Sequence, residues 1–117
     1  MLVVEDDEAI RTMLTAVLTD EAYEVRTASD VAAGIGALRG WRPDAIVLDV
    51  VMPGADATVF RALQVGLADA ADVPVVLVSA TRAADLDQIA RDLGASAALP
   101  KPLRIDDLLA TLVRLRL

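Results

Sequence analysis

Ala45-Ile46-Val47-Leu48-Asp49-Val50-Val51-Met52-Pro53-Gly54 is an apolar run that delivers a single carboxylate, Asp49, to its end. Pro43-Asp44 precedes it, and Met52-Pro53-Gly54 turns the chain afterwards. Four consecutive apolar residues between turn signals predict a strand buried on both faces, as in a parallel sheet covered by helices. Ligands bind at the carboxyl edge of such sheets. Asp49 therefore has two readings from this stretch alone, a functional carboxylate or a cap on the next element.

The segments on either side repeat the pattern. Leu2-Val3-Val4 is a first strand that runs into Glu5-Asp6-Asp7, and Ile10, Met13, Leu14, Val17 and Leu18 follow at helical spacing. Asp7-Glu8 suit that helix's N-terminus. Residues 23–28 read as a second strand, Ser29-Asp30 as an N-cap, and residues 31–38 as a helix weakened by two glycines. After Gly54, Thr58 is expected to cap a third helix with Val59, Phe60, Leu63 and Leu67 on its apolar stripe. Pro74 opens a fourth buried strand, Val75-Val76-Leu77-Val78, with Ser79-Ala80-Thr81 at its carboxyl end. A helix through Leu86, Ile89, Ala90 and Leu93 stops at Gly94, which suits a C-terminal cap. Residues 97–99 form a weak fifth strand, Pro100-Lys101-Pro102 interrupts it, and Ile105, Leu108, Leu109, Leu112 and Val113 mark the last helix.

Five strands alternating with five helices predict a doubly wound α/β domain with a parallel sheet. At 117 residues the chain fits one domain, residues 1–117. The flavodoxin-like strand order 2-1-3-4-5, with helices on both faces, is the expected topology. It would bring Glu5, Asp6, Asp49, Ser79 and Lys101 to one sheet edge.

Composition removes several function classes. The chain has no cysteine and no histidine, so any metal must be held by oxygen. A net charge of −7 argues against direct binding of nucleic acid. No apolar run approaches the roughly 18 residues of a membrane span, and no signal peptide is visible, so a cytoplasmic protein without membrane contact is expected. The basic residues are ten arginines and one lysine, Lys101, set between two prolines. Trp41, Tyr23 and Phe60 read as packing residues.

Three carboxylates without thiol or imidazole make a hard site suited to Mg²⁺, with Mn²⁺ possible. A carboxylate beside a metal, a hydroxyl and an ammonium is arranged for phosphoryl transfer, which would leave an acyl phosphate on Asp49.

The segments Val3-Val4-Glu5-Asp6-Asp7, Val47-Leu48-Asp49-Val50-Val51-Met52-Pro53-Gly54, Val76-Leu77-Val78-Ser79-Ala80 and Leu99-Pro100-Lys101-Pro102 together resemble the receiver domain of two-component response regulators. The resemblance spans essentially the whole chain, with separations of 43, 30 and 22 residues between Asp6, Asp49, Ser79 and Lys101. It implies that Asp49 is the phospho-acceptor, that Asp6 binds Mg²⁺ directly with Glu5 assisting, and that the Val51 carbonyl completes the protein ligands. Ser79 would hydrogen-bond the phosphoryl group and Lys101 would pair with it and with Asp49, across a Lys101–Pro102 bond that is typically cis. Asp7 is read mainly as a helix cap. The implied function is phosphorelay signalling: the domain takes phosphate from the phosphohistidine of a sensor histidine kinase or histidine phosphotransfer protein and changes its interaction surface. It would promote its own phosphorylation and dephosphorylation without being a turnover enzyme. The kinase would dock around Ala9, Ile10, Met13 and the Pro102-Leu103 loop, although Ile10 also fits a core position. Downstream lies a protein target or a missing output domain, with a homodimer through the fourth helix, fifth strand and fifth helix as a further expectation.

Two positions depart from the family pattern. Ala98 stands where receivers usually carry a switching tyrosine or phenylalanine, and Ala57 stands where glycine is usual after Asp56. Val51 and Thr81 occupy the positions that flank the water attacking the acyl phosphate, and Val51 has no group to bind it. The alternative reading is a pseudo-receiver, an interaction module without regulated phosphorylation. A flavin carrier of similar topology is disfavoured because acidic strand ends would repel a flavin phosphate.

Overall fold

A computed structural model describes all residues except Pro53, Ala55 and Thr81; the Ala83 side chain is also outside the description. The elements run β1 (Leu2–Val4), α1 (Glu8–Asp20), β2 (Arg26–Ala28), α2 (Val31–Leu38), β3 (Ile46–Asp49), α3 (Ala57–Val65), β4 (Val75–Ser79), α4 (Ala83–Leu93), β5 (Ala97–Pro100) and α5 (Ile105–Arg114). The five strands form one parallel sheet in the predicted order β2-β1-β3-β4-β5.

Alternation along the central strands splits the interior in two. Leu2, Val4, Ile46, Leu48 and Leu77 point to the face covered by α2, α3 and α4, where Phe60, Ile35 and Leu86 meet them. Val3, Val47 and Val78 point to the other face, against Leu14 and Leu18 of α1 and Leu108 and Leu112 of α5. The continuous apolar runs of β1, β3 and β4 follow from this double burial. Among the described residues no helix is long and apolar enough to cross a membrane.

Two local expectations are corrected. The second strand begins at Arg26, not Tyr23, because the backbone before it closes α1. Ala22 takes a left-handed φ of 69°, its N–H donates to Thr19 O, and the Tyr23 N–H donates to Leu18 O, the two bonds of a Schellman terminus. Tyr23 then packs on the α1–α5 side, and its hydroxyl donates to the Leu117 carbonyl. Thr58 does not cap α3. Asp56 does, with Oδ1 accepting from Thr58 N (3.0 Å) and Val59 N (3.3 Å), since Thr58 already lies inside the first turn, where its own N–H needs an acceptor. Leu67 lies beyond the end of α3 yet still packs on the core. Asp7, Asp30 and Gly94 fill the capping roles expected of them, Gly94 in the left-handed conformation.

The two glycines of α2 differ in cause. A Cβ on Gly34 would lie 2.8 Å from Phe60 Cε2 and 3.0 Å from Val4 Cγ2, whereas one on Gly36 would meet nothing within 4 Å. We expect Gly36→Ala to raise stability by about 0.5–1 kcal/mol through helix propensity. Gly34→Ala should lower it, because overpacking costs about 1–3 kcal/mol and exceeds the same gain. Urea denaturation of both variants checks the pair, and equal shifts would remove the packing account of Gly34.

Candidate functional site

The carboxyl edge of the sheet assembles the predicted residues. Glu5 and Asp6 leave β1, Asp49 ends β3, Ser79 ends β4, and Lys101 follows β5. Registration of Asp49 with Val78 and of Ser79 with Pro100 holds the ends level, and Lys101 N–H donates to Ser79 O at 2.7 Å. Lys101–Pro102 is cis, as the resemblance implies. Glu5, Asp6, Asp49, Ser79 and Lys101 line one open cleft of about 520 Å³, together with Asp7, Val51 and Ala80.

Glu5, Asp49 and Ser79 are buried, at 3%, 5% and 1% exposure, while Asp6 is exposed at the cleft mouth. Lys101 Nζ bridges the buried acids, 3.0 Å from Glu5 Oε2 and 3.2 Å from Asp49 Oδ2. Asp49 Oδ1 accepts from the Val51 N–H at 3.3 Å, and Glu5 Oε1 accepts from the Asp7 N–H at 3.1 Å. Desolvation holds the Glu5 carboxyl above its ordinary pKa, and the Asp49 charge adds to this against the opposing bonds from Lys101 and Asp7. Burial pulls the Lys101 ammonium down, but its hydrogen bond to Glu5 and the charges of Asp49 and Glu5 outweigh it and leave the group raised.

Glu5, Asp6 and Asp49 each offer one oxygen, and these atoms lie within 4.8 Å of one another. An all-oxygen donor set with unrelieved acid repulsion fits a divalent ion of the Mg²⁺ or Mn²⁺ class. Asp7 stands apart from this set, because its Oδ1 caps α1 by accepting from Ile10 N at 3.0 Å.

The Arg11 guanidinium is the site-supporting residue that sequence reading missed. Nη1 donates to the carbonyls of Glu5 (2.8 Å) and Asp6 (2.9 Å), so one cation ties down the backbone of the acidic loop. Its only sequence signal is an arginine one turn inside the helix that follows the acids. Without that tie the loop carbonyls lose two charge-assisted bonds. We expect Arg11→Ala to weaken Mg²⁺ binding by about 3–10-fold, as loss of about 1 kcal/mol of loop ordering implies. Calorimetric Mg²⁺ titration measures it, and an unchanged affinity would confine Arg11 to a folding role.

Other predicted positions are more buried than their proposed roles suggest. Ile10, Met13 and Leu103 pack partly into the α1–α5 core, leaving Ala9 and Pro102 exposed on the expected docking surface. Ala98, registered with Leu77, packs against the α2–α3–α4 core. Val51 is 66% exposed; Thr81 lies outside the described residues. Trp41 packs on the core edge with the Arg26 guanidinium 4.4 Å above its ring.

A family model for the response regulator receiver domain matches residues 1–113. The response regulator MprA of Mycobacterium tuberculosis is 38% identical over 111 residues, which cover 94% of this chain and 47% of that protein. This chain thus spans about half the length of the curated relatives it matches. Among solved structures, chemotaxis protein CheY4 of Vibrio cholerae is 31% identical with a TM-score of 0.87, over 97% of this chain and 94% of that one. A putative response regulator from Chloroflexus aurantiacus is 26% identical with a TM-score of 0.88, over 97% and 93% of the two chains.

Proposed function

This chain belongs to the response regulator receiver domain family, and from that membership and the cleft we propose that Asp49 accepts a phosphoryl group in phosphorelay signalling. The observation that carries the reading is the Lys101 ammonium held between the buried Glu5 and Asp49 carboxylates at the open carboxyl edge. The donor is the phosphohistidine of a sensor histidine kinase or a histidine phosphotransfer protein, since this chain has no histidine of its own.

In the proposed step an Asp49 carboxylate oxygen forms the O–P bond as the donor's N–P bond breaks, and the imidazole nitrogen departs with the electron pair and takes up a proton. Lys101 offsets charge on the phosphoryl oxygens, and the Ser79 hydroxyl donates to one of them. Glu5, Asp6, Asp49 and the Val51 carbonyl are the groups that would hold Mg²⁺, which supplies further neutralisation of the phosphoryl charge. The chemistry is a single transfer followed by hydrolysis of the acyl phosphate to inorganic phosphate and free Asp49, not substrate turnover. Mass spectrometry after exposure to acetyl phosphate and Mg²⁺ tests it: the expected product is a hydroxylamine-labile phosphoryl adduct on Asp49. Its absence would favour the pseudo-receiver reading, for which the replacement of the switch aromatic by Ala98 is the supporting observation.

An apolar, 66% exposed Val51 has no group to orient an attacking water. We expect Val51→Asn to speed loss of phosphate from Asp49 by about 3–10-fold, the equivalent of one modest hydrogen bond. Phosphate release after removal of the donor measures this, and no acceleration would show that the side chain at position 51 does not limit hydrolysis.

The further assignments complete the reading. Residues 1–117 act as one domain in the cytoplasm, and α4, β5 and α5 face a downstream protein target or output domain. A homodimer through those same three elements is the alternative use of that surface. No nucleic acid is contacted directly, consistent with the net charge of −7.

A further inference from the structure

We propose that the outer face of α2 and α3 is a contact between two copies of this chain. It lies outside the acidic cleft and is independent of phosphorylation. Helix α2 carries no charged residue along Val31–Leu38 and exposes Ala32, Ala33 and Gly36. Beside it α3 exposes Val59 (44%) and Leu63 (48%). The one cation of α3, Arg61, turns away from this surface, its Nε donating to Leu93 O at 2.8 Å.

Charge identifies a second copy as the occupant. Two molecules of net charge −7 repel, and an uncharged face lets them approach without setting like charges together. The rim of α2 is complementary to itself: Asp30 caps one end and Arg39 the other. Over the eight residues of α2, at about 1.5 Å each, a two-fold axis running the helices antiparallel sets each Asp30 beside the other copy's Arg39, twice over. On α4 and α5, by contrast, Asp85, Asp87, Asp92, Asp106 and Asp107 are interspersed with Arg82, Arg91, Arg104 and Arg114, so a second copy there would have to match many charges of both signs, where the α2–α3 face asks for one pair at each end. Gly36 fits the same reading. It weakens the helix, meets nothing within 4 Å in its own copy, and leaves room for a neighbouring backbone. The face offers only small side chains on α2 and two half-exposed aliphatic anchors, Val59 and Leu63, on α3, so the association is weak and rises with concentration.

The absence of cysteine makes the test direct. Sedimentation of the unphosphorylated full chain from about 10 μM to 1 mM should show reversible dimerisation, with a dissociation constant of order 10⁻⁴ M. Ala33→Cys should be joined by a short bis-maleimide in proportion to dimer, while Val113→Cys, 77% exposed on α5, should remain single. Gly36→Glu and Arg39→Glu should each weaken dimerisation by about tenfold, or 1.4 kcal/mol, with unchanged circular dichroism, and Arg39→Lys should retain it. A parent that stays monomeric at 1 mM, equal joining at both cysteines, or joining at Val113→Cys alone would overturn the proposal. The last result would place the homodimer on α4, β5 and α5, and a monomeric parent would leave the α2–α3 face to another protein.

Discussion

Asp49→Asn should bring phosphoryl labelling of this domain to background while leaving the fold in place. The change is nearly isosteric at a side chain only 5% exposed, so neither a cavity nor an added clash arises. What it removes is chemistry. The amide has no anionic oxygen to attack phosphorus, and an adduct on its neutral oxygen has no stable form comparable with an acyl phosphate. The amide also keeps an oxygen able to accept the Val51 N–H that now meets Asp49 Oδ1 at 3.3 Å, so the loop after β3 stays anchored. The amide nitrogen then replaces Oδ2 and meets the Lys101 ammonium donor to donor, so that contact is lost, but the Lys101 bond to Glu5 Oε2 at 3.0 Å remains. The measurement is incorporation from acetyl phosphate with Mg²⁺, read by intact mass and by hydroxylamine lability, alongside circular dichroism. Retention of full labelling would move the acceptor elsewhere, with Asp6 and Glu5 the next carboxylates in the cleft. Loss of labelling with loss of secondary structure would instead assign Asp49 a folding role, and isosteric Asn is chosen to separate the two.

Glu5, Asp6, Asp49 and Ser79 are readable because each stands at the end of a strand whose sequence announces itself, and Lys101 because it is the one lysine of the sequence, set between two prolines. Leu2–Val4, Ile46–Asp49 and Val75–Ser79 are buried along their length, and burial on both faces writes short unbroken runs rich in Val, Ile and Leu, which β-branching and the flanking turn residues separate from an apolar helix such as α2. The edge strands were less clear. Two of the three residues of β2 are exposed, so nothing in the sequence separates strand from the Schellman turn before it, and the pattern runs the strand back over residues 23–25. Cap identity on α3 turned on one step along the chain, which side-chain type alone does not fix. Arg11 escaped notice because its partners are carbonyls, and every residue has a carbonyl. Likewise, Gly34 and Gly36 are indistinguishable as letters. Only the approach of Phe60 and Val4 to one of them makes the first glycine a packing requirement and leaves the second open.

Lys101→Met should destabilise the fold most near neutral and mildly alkaline pH, with the deficit shrinking on both sides. The ammonium touches two carboxylates that are almost fully buried, and deleting it leaves them facing one another without a cation. Removing one partner of a buried pair costs about 3–5 kcal/mol. The Lys101 side chain keeps 20% exposure, so water takes up part of that loss and about 2–3 kcal/mol is expected at pH 8. The pH dependence follows from the two shifts. The Lys101 pKa is raised above its ordinary 10.5, so its contribution is complete below that value and disappears as pH rises through the folded-state value. The parent then converges on the variant from above. Glu5 is also raised, which for an acid means that its ionised form is disfavoured by folding, and loss of Lys101 raises it further. As pH falls toward the raised folded-state value, Glu5 in the variant takes up a proton before Glu5 of the parent does, its repulsion with Asp49 ends, and the deficit narrows. Urea denaturation of both proteins across this range, without divalent ions, gives the difference curve. A deficit that stayed constant with pH would show that Lys101 contributes by packing its methylene stem and not by neutralising the acids. Adding Mg²⁺ separates charge from shape once more, because an ion at the acids supplies what the variant lacks and a methionine side chain cannot.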